Sequence, residues 1–197
     1  MNTIIRKSVL GVAGLAFAGG VFAGPIAAHA AEPVHANPVA VAVQADKPDM
    51  GKLVPHGVQG PQSKIDLNAD QVSNVKAIVA AAKKSGIQDP QRAAVISVAT
   101  SLQESKLQNL GDLGDSNDHD SLGLFQQRPS SGWGTPEQIM DPQYATTAFL
   151  KGLQQVDGWQ DMPLSQAAQT VQVSAYPDAY AQWEQQAADL VTQYWNG

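Results

Sequence analysis

From Leu67 onward the apolar residues recur at helical spacing. Val72, Val75, Ile78, Val79 and Ala82 form one stripe. Asn68 precedes it as an N-cap, with Gln71 three residues on as its capping-box partner. Lys83 and Lys84 fall in the last turn and Gly86 ends it. Asp89-Pro90 reads as N-cap and N1 of a second helix, and Asp141-Pro142 opens another through Tyr144, Ala148 and Phe149 to about Val156. A shorter helix fits Leu164 to Val173. The last is expected from Pro177, with Tyr180, Trp183, Ala187, Leu190, Val191 and Tyr194 on one face. No alternating segment of useful length predicts a strand. The pattern gives a mostly α domain over residues 66–197, interrupted by an irregular stretch from Gln108 to Gly134. Loops that long inside a domain usually carry function.

The chain before this domain has a different character. Arg6 and Lys7 precede an uncharged run rich in Ala, Gly, Val and Leu, and Ala28-His29-Ala30 supplies a small-x-small cleavage pattern. Residues 1–30 are therefore expected to be a secretory signal peptide, with a cut before Ala31. An uncleaved membrane anchor is the competing reading, since the run is about long enough to span. Residues 31–65 contain Pro33, Pro38, Pro48, Pro55 and Pro61, lack aromatics and show no helical period. They are expected to be a flexible, disordered linker. The implied address is secreted or cell-wall, with no membrane association after signal removal.

Composition narrows the chemistry. The 197 residues are 43% apolar and 15% charged, which supports one packed domain and a tail. The absence of cysteine excludes disulfides, thiolate metal sites and cysteine nucleophiles. Removing residues 1–30 takes the formal charge from −6 to −8, which argues against nucleic acid as a partner. Of the four histidines only His119 falls within the domain, which disfavours a zinc enzyme. No Ser/His/Asp arrangement is evident.

The second helix carries one unusual charge. From Ala93 to Ser105, Glu104 is the single ionisable residue. Val95, Val98, Ala99 and Leu102 make an apolar stripe, and at 100° per residue Glu104 lies opposite, with Ala93, Ser97 and Thr100. A helix without charge on either face before Glu104 is expected to be central. Desolvation and the negative end of the macrodipole would both raise the pKa of a carboxyl there. That makes Glu104 a candidate general acid. A glutamate emerging into solvent at a frayed helix end is the plainer alternative.

Downstream segments favour the first reading. Gln103-Glu104-Ser105 is followed by Gly123-Leu124-Phe125-Gln126 and then by Ser174-Ala175-Tyr176-Pro177-Asp178. In order and approximate spacing this resembles the three-part signature of the lysozyme-like soluble lytic transglycosylases: Glu-Ser, Gly-Leu-Met-Gln and Ala-Tyr-Asn. It is most similar to exported actinobacterial members, in which a Gly-Leu-Phe-Gln-Gln-Arg-Pro-Ser run precedes a Trp-Gly segment, here Gly123 to Ser130 and Trp133-Gly134. The resemblance covers residues 69–195. Phe125 replaces a methionine, Tyr-Pro-Asp replaces Tyr-Asn, and the segment between Glu104 and Gly123 is unusually acidic. The resemblance implies a lysozyme-like helical fold with Glu104 as acid/base. It also implies that Gly123 lets backbone approach a sugar, Gln126 lines the cleft, and the Tyr176 hydroxyl positions Glu104 or the sugar. Ser105 and Phe125 complete the motif residues expected at the substrate.

Asp112, Asp115, Asn117, Asp118 and Asp120 lie close together. Asp115-Ser116-Asn117 starts like an EF-hand loop, but Asp120 stands at the glycine position and Gln126 at the final glutamate position. An irregular calcium site at Asp115, Asn117 and Asp118 and a solvated, turn-rich loop are both compatible with this. Otherwise no cofactor is expected. Asp120 and Asp178 are candidate second carboxylates. Trp133 and Trp159 sit in Gly-flanked irregular segments; Trp133 is a candidate sugar platform, whereas Trp183 fits a core stripe. Arg128 could meet an anionic group of the substrate or make a structural salt bridge.

With these features, the resemblance implies an exported lytic transglycosylase, a monomer acting on peptidoglycan glycan strands at the β-1,4 bond between N-acetylmuramic acid and N-acetylglucosamine, with Glu104 as its single acid/base. A hydrolytic muramidase and a non-catalytic glycan-binding protein, with or without bound calcium, are the alternatives.

Overall fold

The computed structural model describes residues 49–112, 114, 119–174 and 176–197. The expected signal peptide and residues 31–48 lie outside them. The described chain is mostly helical: α1 (Met50–Leu53), α2 (Ala69–Lys84), α3 (Pro90–Ser105), α4 (Pro136–Ile139), α5 (Pro142–Leu153), α6 (Leu164–Gln172) and α7 (Glu184–Tyr194). Its extended pairing among the described residues is limited to the isolated antiparallel bridges Leu110 with Gly123 and Leu122 with Gln127.

Local chemistry sets the helix starts. At α2 the Asn68 side chain accepts from the Gln71 amide at 2.9 Å, and the Gln71 side chain accepts from the Asn68 amide at 2.8 Å. Asp89, with Pro90 at N1, accepts from the Arg92 amide, although Asp89 itself is left-handed at φ 49°. Asp141 caps α5 in the same way.

α3 is the central helix. Every residue from Arg92 to Leu102 is buried, and α3 contacts α1, α2, α5, α6 and α7. Its small residues Ala93, Ala94, Ser97, Ala99 and Ser101 allow neighbours on all sides. Two of its buried hydroxyls return to the helix itself, Ser97 to Ala93 O and Thr100 to Ile96 O, both at 2.8 Å. α3 ends in a Schellman turn: the Lys106 amide bonds Leu102 O and the Leu107 amide bonds Ser101 O. Neither Lys106 nor Leu107 is glycine, yet both are left-handed. Burial of Leu107 at 0% exposure offsets part of that cost. Lys106 Nζ donates to Leu102 O at 3.1 Å and lies 4.6 Å from the Trp183 ring centroid, placing a cation at the negative end of the helix.

Two sequence expectations require correction. Residues 49–65 are not a free linker. They form a strap packed on the domain, with Leu53 fully buried and Val54 nearly so. Buried Arg92 donates to Leu53 O at 2.6 Å and Met162 O at 2.9 Å, and pairs with buried Glu184 at 3.8 Å. Burial pulls Arg92 down to about 10 and pushes the Glu184 carboxyl up. Glutamine amides fasten the rest: Gln62 to Ala181 O at 2.9 Å, and Gln186 to both the carbonyl and the amide of Ile65. The last helix, expected from Pro177, begins at Glu184 after turns and a 3₁₀ segment over Ala181–Trp183. No helix among the described residues is long and apolar enough to cross a membrane.

Candidate functional site

The segment Ser121–Trp133 is shaped by one tight loop. Leu122 and Gln127 exchange two backbone hydrogen bonds, at 2.9 and 3.0 Å. Leu124 and Phe125 point into the core, and Gln126, left-handed at φ 48°, is left at the rim. Gly123 is required at φ 74°: a Cβ there would lie 2.6 Å from Ile139 O. Its role is close packing against the end of α4, in place of the expected approach to a sugar. Gly134 is similar, since a Cβ would lie 2.9 Å from the Tyr144 ring.

A cleft of about 650 Å³ opens between this loop, the end of α3 and the residues after α6. Glu104, Gln126, Arg128, Trp133, Gln172 and Tyr176 are among its walls. Glu104 is half-buried in the last turn of α3. Its Oε1 accepts from Tyr180 Oη at 2.6 Å and from Gln172 Nε2 at 3.3 Å. Gln172 Nε2 also donates to Phe125 O at 2.8 Å, tying α6 to the loop. Tyr180 is fully buried; burial, and then the bond to Glu104, hold its phenol well above the ordinary value of 10.0. It therefore stays a neutral donor. Among the described residues lining the cleft, Glu104 is the single carboxylate.

The other expected site residues divide. Gln126, Trp133 and Tyr176 line the cleft with Glu104. Ser105 does not: its buried Oγ donates to Leu124 O at 2.8 Å and Ser101 O at 3.1 Å, clamping the loop to α3. Phe125 is fully buried and stacks on Phe149 with ring centroids 5.0 Å apart, so it serves the core. Tyr176 is 73% exposed at the cleft rim, and the hydroxyl on Glu104 comes from Tyr180. Trp159 is core, at 3% exposure. The two candidate second carboxylates are occupied or remote. Asp120 accepts from Arg128 Nε at 2.9 Å, the Ser130 amide at 2.7 Å and Ser130 Oγ at 2.9 Å. The Arg128 partner holds that carboxyl well below the usual range. Asp178 is exposed beside the strap, with Gln59 and Pro61. Asp115, Asn117 and Asp118 lie outside the described residues, among which no cluster of three or more His, Asp or Glu side chains could hold a metal.

Tyr180 and Gln172 were not legible as site residues. Tyr180 fits a helical stripe as a core position, and Gln172 sits among many glutamines. Nothing in the spacing separates Tyr180 from the other residues of that stripe. No family model matches the chain, and no curated protein matches it.

Proposed function

We propose that the chain is an exported lytic transglycosylase that cleaves peptidoglycan at the bond between N-acetylmuramic acid and N-acetylglucosamine, with residues 1–30 as its leader. The observation that carries this is the setting of Glu104. Its Oε1 is held by two donors, its carboxyl faces a cleft wide enough for a glycan, and no second described carboxylate stands there. The three motif segments that resemble the transglycosylase signature agree with it.

A glycoside hydrolase of the usual kind needs two carboxylates at a defined separation. One suffices when the substrate supplies the nucleophile. Glu104 protonates the glycosidic oxygen as the C1–O bond breaks. The resulting carboxylate takes the proton from the muramic acid C6 hydroxyl, whose oxygen closes on C1. Water is not consumed, and the product is a 1,6-anhydro sugar. Tyr180 and Gln172 keep the carboxyl in one orientation through both transfers.

The test is digestion of purified peptidoglycan by residues 31–197, with product masses read. Anhydro ends, one water lighter than reducing ends, are expected. Glu104→Gln should lower turnover at least about 100-fold with the fold intact. Products that are all reducible by borohydride, or normal turnover by the variant, would overturn the proposal.

A further inference from the structure

α6 ends at Val173, which is left-handed at φ 53° and ψ 44°. β-Branched residues rarely adopt this conformation, because Cβ crowds the backbone. The described left-handed residues other than glycine are Asp89, Lys106, Leu107, His119, Gln126 and Val173; Val173 alone among them is β-branched. The turn is fixed from several sides. The Val173 amide donates to Gln169 O at 2.8 Å, Gln169 Nε2 donates to Ser174 O at 2.8 Å, and Gln172 is held by Phe125 O. Such over-determination is what allows strain to persist.

Leu107 recovers its strain through burial, but Val173 does not. Its side chain is 80% exposed and Tyr176 is 73% exposed; the other exposed large hydrophobics, Met50, Val58 and Tyr144, are at 36–40%. Both Val173 and Tyr176 line the Glu104 cleft, with Trp133 also on its wall. Most polar members of that wall, among them Gln126, Gln172, Ser131 and Ser174, are neutral; Glu104 and Arg128 are its charged members. An apolar rim above neutral hydrogen-bonding groups matches a pyranose ring, which presents C–H bonds on its face and hydroxyl and acetamido groups at its edge.

We infer that Val173 and Tyr176 form an apolar lip on which a hexosamine ring of the glycan seats, and that the Val173 side chain sets affinity at that position. The inference rests on the proposed function for the identity of the glycan.

The experiment measures binding to insoluble peptidoglycan in a Glu104→Gln background, together with thermal melting. Val173→Gly and Val173→Asn both tolerate the left-handed turn and remove the apolar group. Each should raise Tm by about 2–4 °C and weaken binding about fivefold. Val173→Ile, which keeps the β-branched apolar group, should bind as the parent does. In the active chain, Val173→Gly should raise KM and leave kcat unchanged. Binding by the Gly and Asn variants within twofold of the parent would overturn the lip. Equal loss in the Ile variant, or a parent that does not bind, would overturn it too. Cleavage by the unmodified chain is read separately, so failure of the lip and failure of the transglycosylase assignment give different results.

Discussion

Tyr180→Phe separates the geometry of the site from the motif that led to it. The change removes one oxygen, which lies 2.6 Å from Glu104 Oε1, and keeps the buried ring. A hydrogen bond to a charged group contributes about 1.5–3 kcal/mol. Here Gln172 remains 3.3 Å from the same oxygen and the cleft admits water, so the lower end of that range applies. A Tm decrease of about 3–6 °C follows. The catalytic effect should be larger. A carboxyl free to rotate spends less time aimed at the glycosidic oxygen, and small misplacements cost up to about 100-fold. We expect kcat on peptidoglycan to fall about 10- to 100-fold with KM nearly unchanged, because Tyr180 is not among the cleft-lining residues. Tyr176→Phe is the comparison. It retains the rim ring and should keep kcat within about threefold, since no bond from Tyr176 holds Glu104. Normal turnover by Tyr180→Phe, or an equal loss in Tyr176→Phe, would refute the reasoning.

Two further predictions concern the frame of the site. A chain beginning at Asp66 uncovers the positions filled by Leu53 and Val54 and removes an Arg92 acceptor, at a cost of at least about 3 kcal/mol; its Tm should fall by at least about 6 °C relative to residues 31–197, and an unchanged melt would mean that the strap contributes nothing. Asp120 has a depressed folded-state pKa, so its pairing stabilises the protein above the ordinary value of 3.8 and is lost as pH falls below it; melting against pH should show a shallower acid limb in Asp120→Asn, and parallel curves would count against the pairing.

What the sequence made legible was local. Asn68 with Gln71, Asp89-Pro90 and Asp141-Pro142 satisfy helix ends with neighbouring residues, and the helices begin where those signals stand. Glu104 stood out because an uncharged helix before it implied burial on all sides, as α3 shows. What was misread depends on distant partners. The Pro177 signal has the form of a helix start, but bonds from Tyr180 to Glu104 and from Trp183 Nε1 to Gln103 organise this segment before α7 begins. The strap has no period to detect; Leu53 and Val54 are two apolar residues buried where the distant Arg92 bonds Leu53 O. Ser105 and Phe125 belong to the motif because they hold the loop, and spacing alone does not distinguish a residue that builds a cleft from one that faces it.

The glutamine stitching of the strap and of the cleft has a consequence for the conditions under which the domain keeps its shape. Gln62, Gln103, Gln172, Gln182 and Gln186 join separate segments through amide hydrogen bonds. An amide neither titrates across the ordinary pH range nor attracts counter-ions, whereas exposed ion pairs weaken as the screening length shrinks from about 10 Å at 0.1 M salt to about 3 Å at 1 M. Acidity and ionic strength are the two variables that act on charged seams. The donors that hold Glu104, Gln172 and Tyr180, are themselves uncharged, so the orientation of Glu104 is decoupled from the salinity of the medium.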